Sequence, residues 1–323
     1  MSGFNKNFKD GTYGLRAGPN NATKAFESSE LRSGGGGGGG SFYANSLPLA
    51  YWNFDQGSGG TVNDVSSAGN SLNGTKSSND NDSSLDLPAW DTTNKVRGNS
   101  SLLFVANKDE AVVVPDNNLL DFNTDDTFSI SCWLKRSGGT PNQEGGFVVK
   151  MANTAGSSND SAFKGYALYT LDTLQKRPAF LLLHHLGDGD FLRVVSSDAN
   201  LLNDTNFHNL VVTYNGNSDL SGVKMYLDGS AIAVVLAPGD TDTLEVSEGI
   251  LTNTALAIGG FIGNPDATDL TPDGNAQGNH VLNFDGNMDE VAIWTKVLSA
   301  AEVTAIYNSG NGVDLTNGIP DDD

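Results

Sequence analysis

From about residue 47 onward the chain runs through short stretches in which apolar and polar residues alternate. In TFSISCWLKR (127–136), Phe128, Ile130, Cys132 and Leu134 share one face of an extended backbone. A period of two with one dry face predicts strands of an antiparallel sheet. Similar runs occupy 101–106, 110–115, 146–151, 166–171, 179–184 and 191–196. They continue at 207–215, 223–229, 231–237 (AIAVVLA), 255–260 and 288–294 (MDEVAIW). Turn signals separate them, including GDGD at 187–190, NG at 215–216 and DG at 228–229. The period changes once. In LSAAEVTAIYNSG, Val303, Ile306 and Tyr307 fall on one helical face, and Ser299 with Glu302 forms a capping box. Leu298 and Val303 are placed as a hydrophobic staple, and Gly310 can end the helix. The expected fold class is all-β: an antiparallel two-sheet sandwich, one short C-terminal helix and an extended N-terminal arm.

The pattern fails before residue 45. Phe4, Phe8, Tyr13 and Phe26 are scattered among polar residues with no period, so residues 1–33 cannot bury enough surface to fold alone. Residues 1–32 carry five bases and three acids, whereas the whole chain has a formal charge of −21. Seven consecutive glycines follow, Gly34 to Gly40. The expected plan is a docking arm (1–33), a flexible linker (34–44), one β domain (45–315) and an acidic tail (316–323).

The charge excludes one class of partner. With 39 acids against 18 bases, a phosphate backbone repels the chain, so no nucleic-acid binding is expected. No run approaches the roughly 20 apolar residues that cross a bilayer, so no membrane insertion is expected. The single cysteine, Cys132, allows no intrachain disulfide and reads as a small buried hydrophobe.

Five stretches in order carry a resemblance. LAYWNFDQGSGGTVNDVSSAGNSLNGT opens it, followed by GNSSLLFVANKDEAVVVPDNNLLDF, DTFSISCWLKR, FHNLVVTYNGNSDLSGVKMYLDGS and FDGNMDEVAIWTKVLSAAEVTAIYN. Together they resemble the laminin-G-like, concanavalin A-like lectin-glucanase jelly-roll family over about residues 49–308. Phe207 stands where that pattern has a tryptophan, a conservative change. The resemblance implies that the sandwich is a jelly roll. It also implies a structural calcium tying the opening loop to the closing strand, at positions matching Asp64, Asn70 and Asp289. Modules of this family mostly bind glycans, polysaccharide or proteins.

Catalysis is not expected. A glycosidase needs two carboxylates a few ångströms apart, and no run supplies them at alternate strand positions. Asp289 and Glu290 are adjacent and should point to opposite faces of their strand. His184 and His185 are adjacent in the same way and lack the spacing of a zinc site. Trp90, in DLPAWDTTN, reads as a loop residue and the best-placed exposed aromatic, able to stack on a sugar or to cover a sheet edge. The long loop 263–279 carries Asp266, Asp269 and Asp273 and is a candidate ligand-binding loop.

The N-terminus shows no apolar signal core, although the family acts outside cells. A bacterial-virus particle reconciles the two, because its parts are made in the host cytoplasm and released by lysis. The expected role is a virion structural or decoration protein of capsid or tail, located on the virion surface. Phe4, Phe8, Tyr13, Arg16 and Phe26 would dock residues 1–33 on a capsid or tail protein. The jelly roll would meet a cell-surface glycan or polysaccharide, and a homo-oligomer is compatible with this plan. The alternatives are an extracellular carbohydrate-binding or adhesion module and, less favoured, a polysaccharide-active glycosidase.

Overall fold

The computed structural model describes residues 41–78, 87–108, 110–138, 145–153, 163–171, 176–185, 190–237, 240, 244, 249–260 and 283–321. These described residues belong to a single compact unit. In chain order the first strands are β1 (Ser41–Phe42), β2 (Ala50–Trp52), β3 (Thr61–Val62), β4 (Gly74–Ser78), β5 (Ala89–Asp91) and β6 (Ser101–Phe104). Then come β7 (Glu110–Val114), β8 (Phe128–Arg136), β9 (Gly146–Asn153), β10 (Phe163–Leu171), β11 (Arg177–His185) and β12 (Asp190–Ser196). Last are β13 (His208–Tyr214), β14 (Val223–Leu227), β15 (Ser230–Ile232), β16 (Val234–Leu236), β17 (Leu256–Ile258) and β18 (Gly286–Trp294). Helix α1 (Ala300–Tyr307) and β19 (Pro320–Asp321) close the chain.

Among the described residues two large antiparallel sheets form, beside the small β1-β19 pair. One runs β16-β12-β11-β10-β9-β17-β7-β4-β3; the other runs β15-β14-β13-β8-β18-β6-β5, with β2 also paired to β18. The inner faces meet in one core. The even residues of β8, Phe128 to Leu134, lie in it with Trp52, Phe147, Phe180 and Tyr214. Phe122 stacks on Phe128 with ring centroids 4.4 Å apart. Cys132 lies wholly inside, and burial pushes its thiol far above the ordinary range, which leaves it unreactive.

Both outer faces carry further apolar layers. On the nine-stranded sheet Val149, Ala167, Leu181 and Val195 are buried. On the eight-stranded sheet Trp294, Val211 and Tyr51 lie beneath Val303 and Ile306 of α1. The capping box of Ser299 and Glu302 is formed, and Leu298 is buried beside Val303 as the staple requires. The helix ends on Asn308, left-handed at φ 46, rather than at Gly310. Its side-chain amide donates to the Gly312 carbonyl, which helps an asparagine hold the conformation usually given to glycine.

Two expectations change and one holds. AIAVVLA is two strands rather than one, since β15 pairs with β14 while β16 pairs with β12. The chain passes from one sheet to the other at Ala233, and period-two alternation cannot reveal a change of partner. The DG turn at 228–229 holds: Asp228 (φ 51) and Gly229 (φ 75) are both left-handed, as a tight hairpin of this hand requires. The body also reaches beyond 45–315, because Ser41 pairs with Asp321 and Phe42 with Pro320.

Candidate functional site

A cluster of buried charge lies where β18 meets the loop 94–100. At Asp289 and Glu290 the pairing of β18 with β8 slips, and Glu290 takes a left-handed φ of 50. A bulge of this kind adds one residue and re-aims its side chain. The expectation that Asp289 and Glu290 face opposite ways is therefore corrected, since both carboxylates meet the same loop. Asp289 Oδ2 accepts from the Val96 N–H at 2.8 Å and Oδ1 from its neighbour's N–H at 3.1 Å. Glu290 Oε1 lies 3.4 Å from Arg97 Nη1, and Oε2 accepts from the Tyr51 hydroxyl. Asp55 holds the far side of the loop by accepting from the Asn99 and Ser100 N–H groups.

This constellation is short of positive charge. Burial raises the Asp289 carboxyl to about 8 against three backbone amides that favour its ion, and the Asp55 charge adds to the rise. Glu290 is raised by burial and by the Asp289 charge. The Tyr51 hydroxyl is pushed far up by burial and by Glu290, so it remains a donor. The carboxylates are committed to backbone, tyrosine and arginine, which makes the cluster a clamp on the loop. An acid–base pair would need its oxygens aimed at a substrate.

Each residue expected to hold calcium is engaged in hydrogen bonds of the fold. Asp64 Oδ1 accepts from the N–H groups of Tyr51 and Ser66, and Oδ2 from that of Leu72, each at 3.0 Å. Its oxygens are thus spent on organising the opening loop. Asn70 donates its side-chain amide to the Leu49 carbonyl at 2.8 Å. Asp289 has Val96 and Asp55 as neighbours, three residues along β18 from Ala292, the partner of Tyr51. Among the described residues no group of three or more His, Cys, Asp or Glu could hold a metal ion. The contacts of Asp64 and Asn70 are those of turn capping.

Trp90 lies in the edge strand β5, where the sequence suggested a loop. It is half-buried against the core, donates its indole N–H to the Gly59 carbonyl at 2.9 Å and has the Lys76 ammonium 5.1 Å above its ring. These contacts lay the indole over the sheet edge. Asp266, Asp269 and Asp273 fall outside the described residues, as do Phe4, Phe8, Tyr13, Arg16 and Phe26.

Three charged centres escaped the sequence reading. His208 Nδ1 lies 2.7 Å from Asp228 and Nε2 lies 2.9 Å from Asp204, and these hydrogen bonds raise the imidazole to about 9 despite its burial. Arg193, buried on the outer face of the nine-stranded sheet, meets Asp240 through two nitrogens at 2.6 and 2.7 Å. Lys150, wholly buried on β9, meets four oxygens. A signal for Lys150 did exist: it shares the inward register of Val148, and an inward lysine on a core strand demands partners.

Residues 106–304 match the family model of the concanavalin A-like lectin/glucanases superfamily. The match covers more than half of the chain, and the chain belongs to this superfamily. Among solved structures, the binding domain of Paraclostridial mosquitocidal protein 1 is similar at 15% identity and a TM-score of 0.54, over 81% of this chain and 52% of that one. The binding domain of botulinum neurotoxin serotype C1 gives 16% and 0.49, over 82% and 52%. Domain 4 of AbnA, an extracellular GH43 arabinanase of Geobacillus stearothermophilus solved with arabinotriose, gives 16% and 0.41, over 80% and 98%. At 15% identity the likeness to the mosquitocidal protein's binding domain is one of fold alone. The chain spans about half the length of the toxin binding domains. No curated protein matches it.

Proposed function

We propose that this chain is a non-catalytic virion structural or decoration protein of a bacterial virus, with its jelly roll turned to a glycan or another surface. The observation that carries the reading is the plan of the chain. A basic segment with four aromatics is joined by seven glycines to one acidic jelly roll of a lectin-like superfamily. Phe4, Phe8, Tyr13, Arg16 and Phe26 would supply the anchor, since rigid aromatics and arginine contribute most per contact at interfaces. The absence of catalysis is supported by the acids of the β18 clamp, which are held by backbone amides, Tyr51 and Arg97. The stability of this body owes nothing to disulfides, which suits assembly in a reducing cytoplasm.

The test is to quantify the chain in purified particles and to screen the full-length protein on a glycan array, with released reducing ends measured in parallel. The proposal expects a fixed copy number per particle and no reducing ends. Sugar retention without particle incorporation would point to an exported binding module, and reducing-end release to an enzyme; either sinks the proposal.

A further inference from the structure

The Lys150 ammonium sits among four oxygens drawn from three stretches of chain. It donates to Asp116 Oδ1 at 2.8 Å, the Thr252 carbonyl at 3.1 Å and the Thr254 carbonyl at 2.6 Å. Those bonds use its three protons. Asp121 Oδ1 lies 2.9 Å away as an ion pair, yet it is fully buried and accepts no hydrogen bond among the described residues. The Lys150 side chain is 1% exposed. Asp116 follows β7, Asp121 caps the 3-10 turn Asn118–Leu120, and Thr252 and Thr254 lead into β17.

Two features set this apart from an ordinary buried ion pair. The oxygens outnumber the protons, so one carboxylate oxygen is held by charge alone. The charges do not balance either, because two carboxylates face one ammonium. Carboxylate and carbonyl oxygens converging on one point are what a hard divalent cation binds, without the directional limit of N–H bonds. We infer that this cage is a calcium-type cation site that the chain fills with its own lysine. Lys150 joins β9, the turn Asn118–Leu120 and the approach to β17 without a metal, and removing its ammonium opens the cage to Ca2+.

The experiment uses the full chain and compares wild type, Lys150→Ala, Lys150→Met and Lys150→Ala with Asp121→Asn. Melting is followed in chelator and in about 1 mM Ca2+, a concentration suited to weak oxygen sites. In chelator Lys150→Ala should melt roughly 5–15 °C below wild type, as expected when one partner of a buried pair is lost. Calcium should restore at least half of that loss, with one ion bound per chain by calorimetry beyond any wild-type binding. Lys150→Met should show a similar loss without recovery, because its side chain still fills the space. Adding Asp121→Asn to Lys150→Ala should abolish recovery. If Lys150→Ala does not fold in chelator, soluble yield with and without Ca2+ reads the same question. No calcium recovery in either melting or yield overturns the inference.

Discussion

Two buried charge clusters of this jelly roll solve opposite problems. Around Lys150 a cation lies within reach of two carboxylates and two carbonyls, and every proton of the ammonium is used. At the β18 bulge Asp289 and Glu290 crowd beside Asp55, with Arg97 reaching Glu290 from the loop. The first cluster sets one cation among acids and carbonyls. The second tolerates protons, because burial raises both carboxyls, with the Asp55 charge adding at Asp289 and the Asp289 charge at Glu290. Both tie distant stretches of chain to a sheet, and neither points its acids into open space. The comparison bears on function: on this fold, close carboxylates can serve as fasteners.

Substitutions can break this contrast. The largest effect belongs to Lys150→Met, which strands two acids and should cost about 3–5 kcal/mol in denaturant unfolding. Arg97→Met comes next at about 2–3 kcal/mol, because Arg97 is partly exposed and Glu290 can take up a proton in response. His208 is an intermediate case, a cation between Asp204 and Asp228 nearer the surface. Its folded pKa of about 9 lies above the unfolded value of 6.5. Its contribution is therefore complete below the unfolded value and lost as pH rises through 9. A melting series from neutral to alkaline pH should show about 1–2 kcal/mol of this loss after solvent screening, and His208→Gln should flatten it. The smallest effect is expected for Glu290→Gln, within about 1 kcal/mol at neutral pH, since an amide can serve both Tyr51 and Arg97. The sign of its pH dependence sharpens the contrast. Raised carboxyl pKa values make the wild-type clamp weaken as pH climbs from the unfolded value near 4 toward 8, and Glu290→Gln should remove part of that slope.

The fold was legible because period-two alternation in strands such as β8, and one helical stretch with a full capping box, follow directly from which faces are dry. Polar β4 (GTKSS) and three-residue β5 (AWD) carry no such signal, since sheet neighbours supply their order. The split of AIAVVLA and the bulge at Glu290 were hidden for a related reason. Alternation records which face is buried, and it does not record the pairing partner or a backbone turned left-handed at a glutamate. The three amides on Asp64 were not legible, because an acid in a loop of small polar residues reads the same whether it meets an ion or backbone N–H groups. The clamp was half visible as an adjacent acid pair. Arg97 and Tyr51 are distant in sequence and are brought to Glu290 only by the pairing of β2 with β18 and the fold of the loop.

The proposal that the N-terminal segment attaches this jelly roll to a particle is tested most directly by replacing Phe4, Phe8, Tyr13 and Phe26 with serine in the full-length chain. Copies per purified particle are then counted against wild type. The account expects incorporation to fall about tenfold or more while the melting temperature of the β body stays unchanged. Equal copy numbers for the two proteins would contradict it.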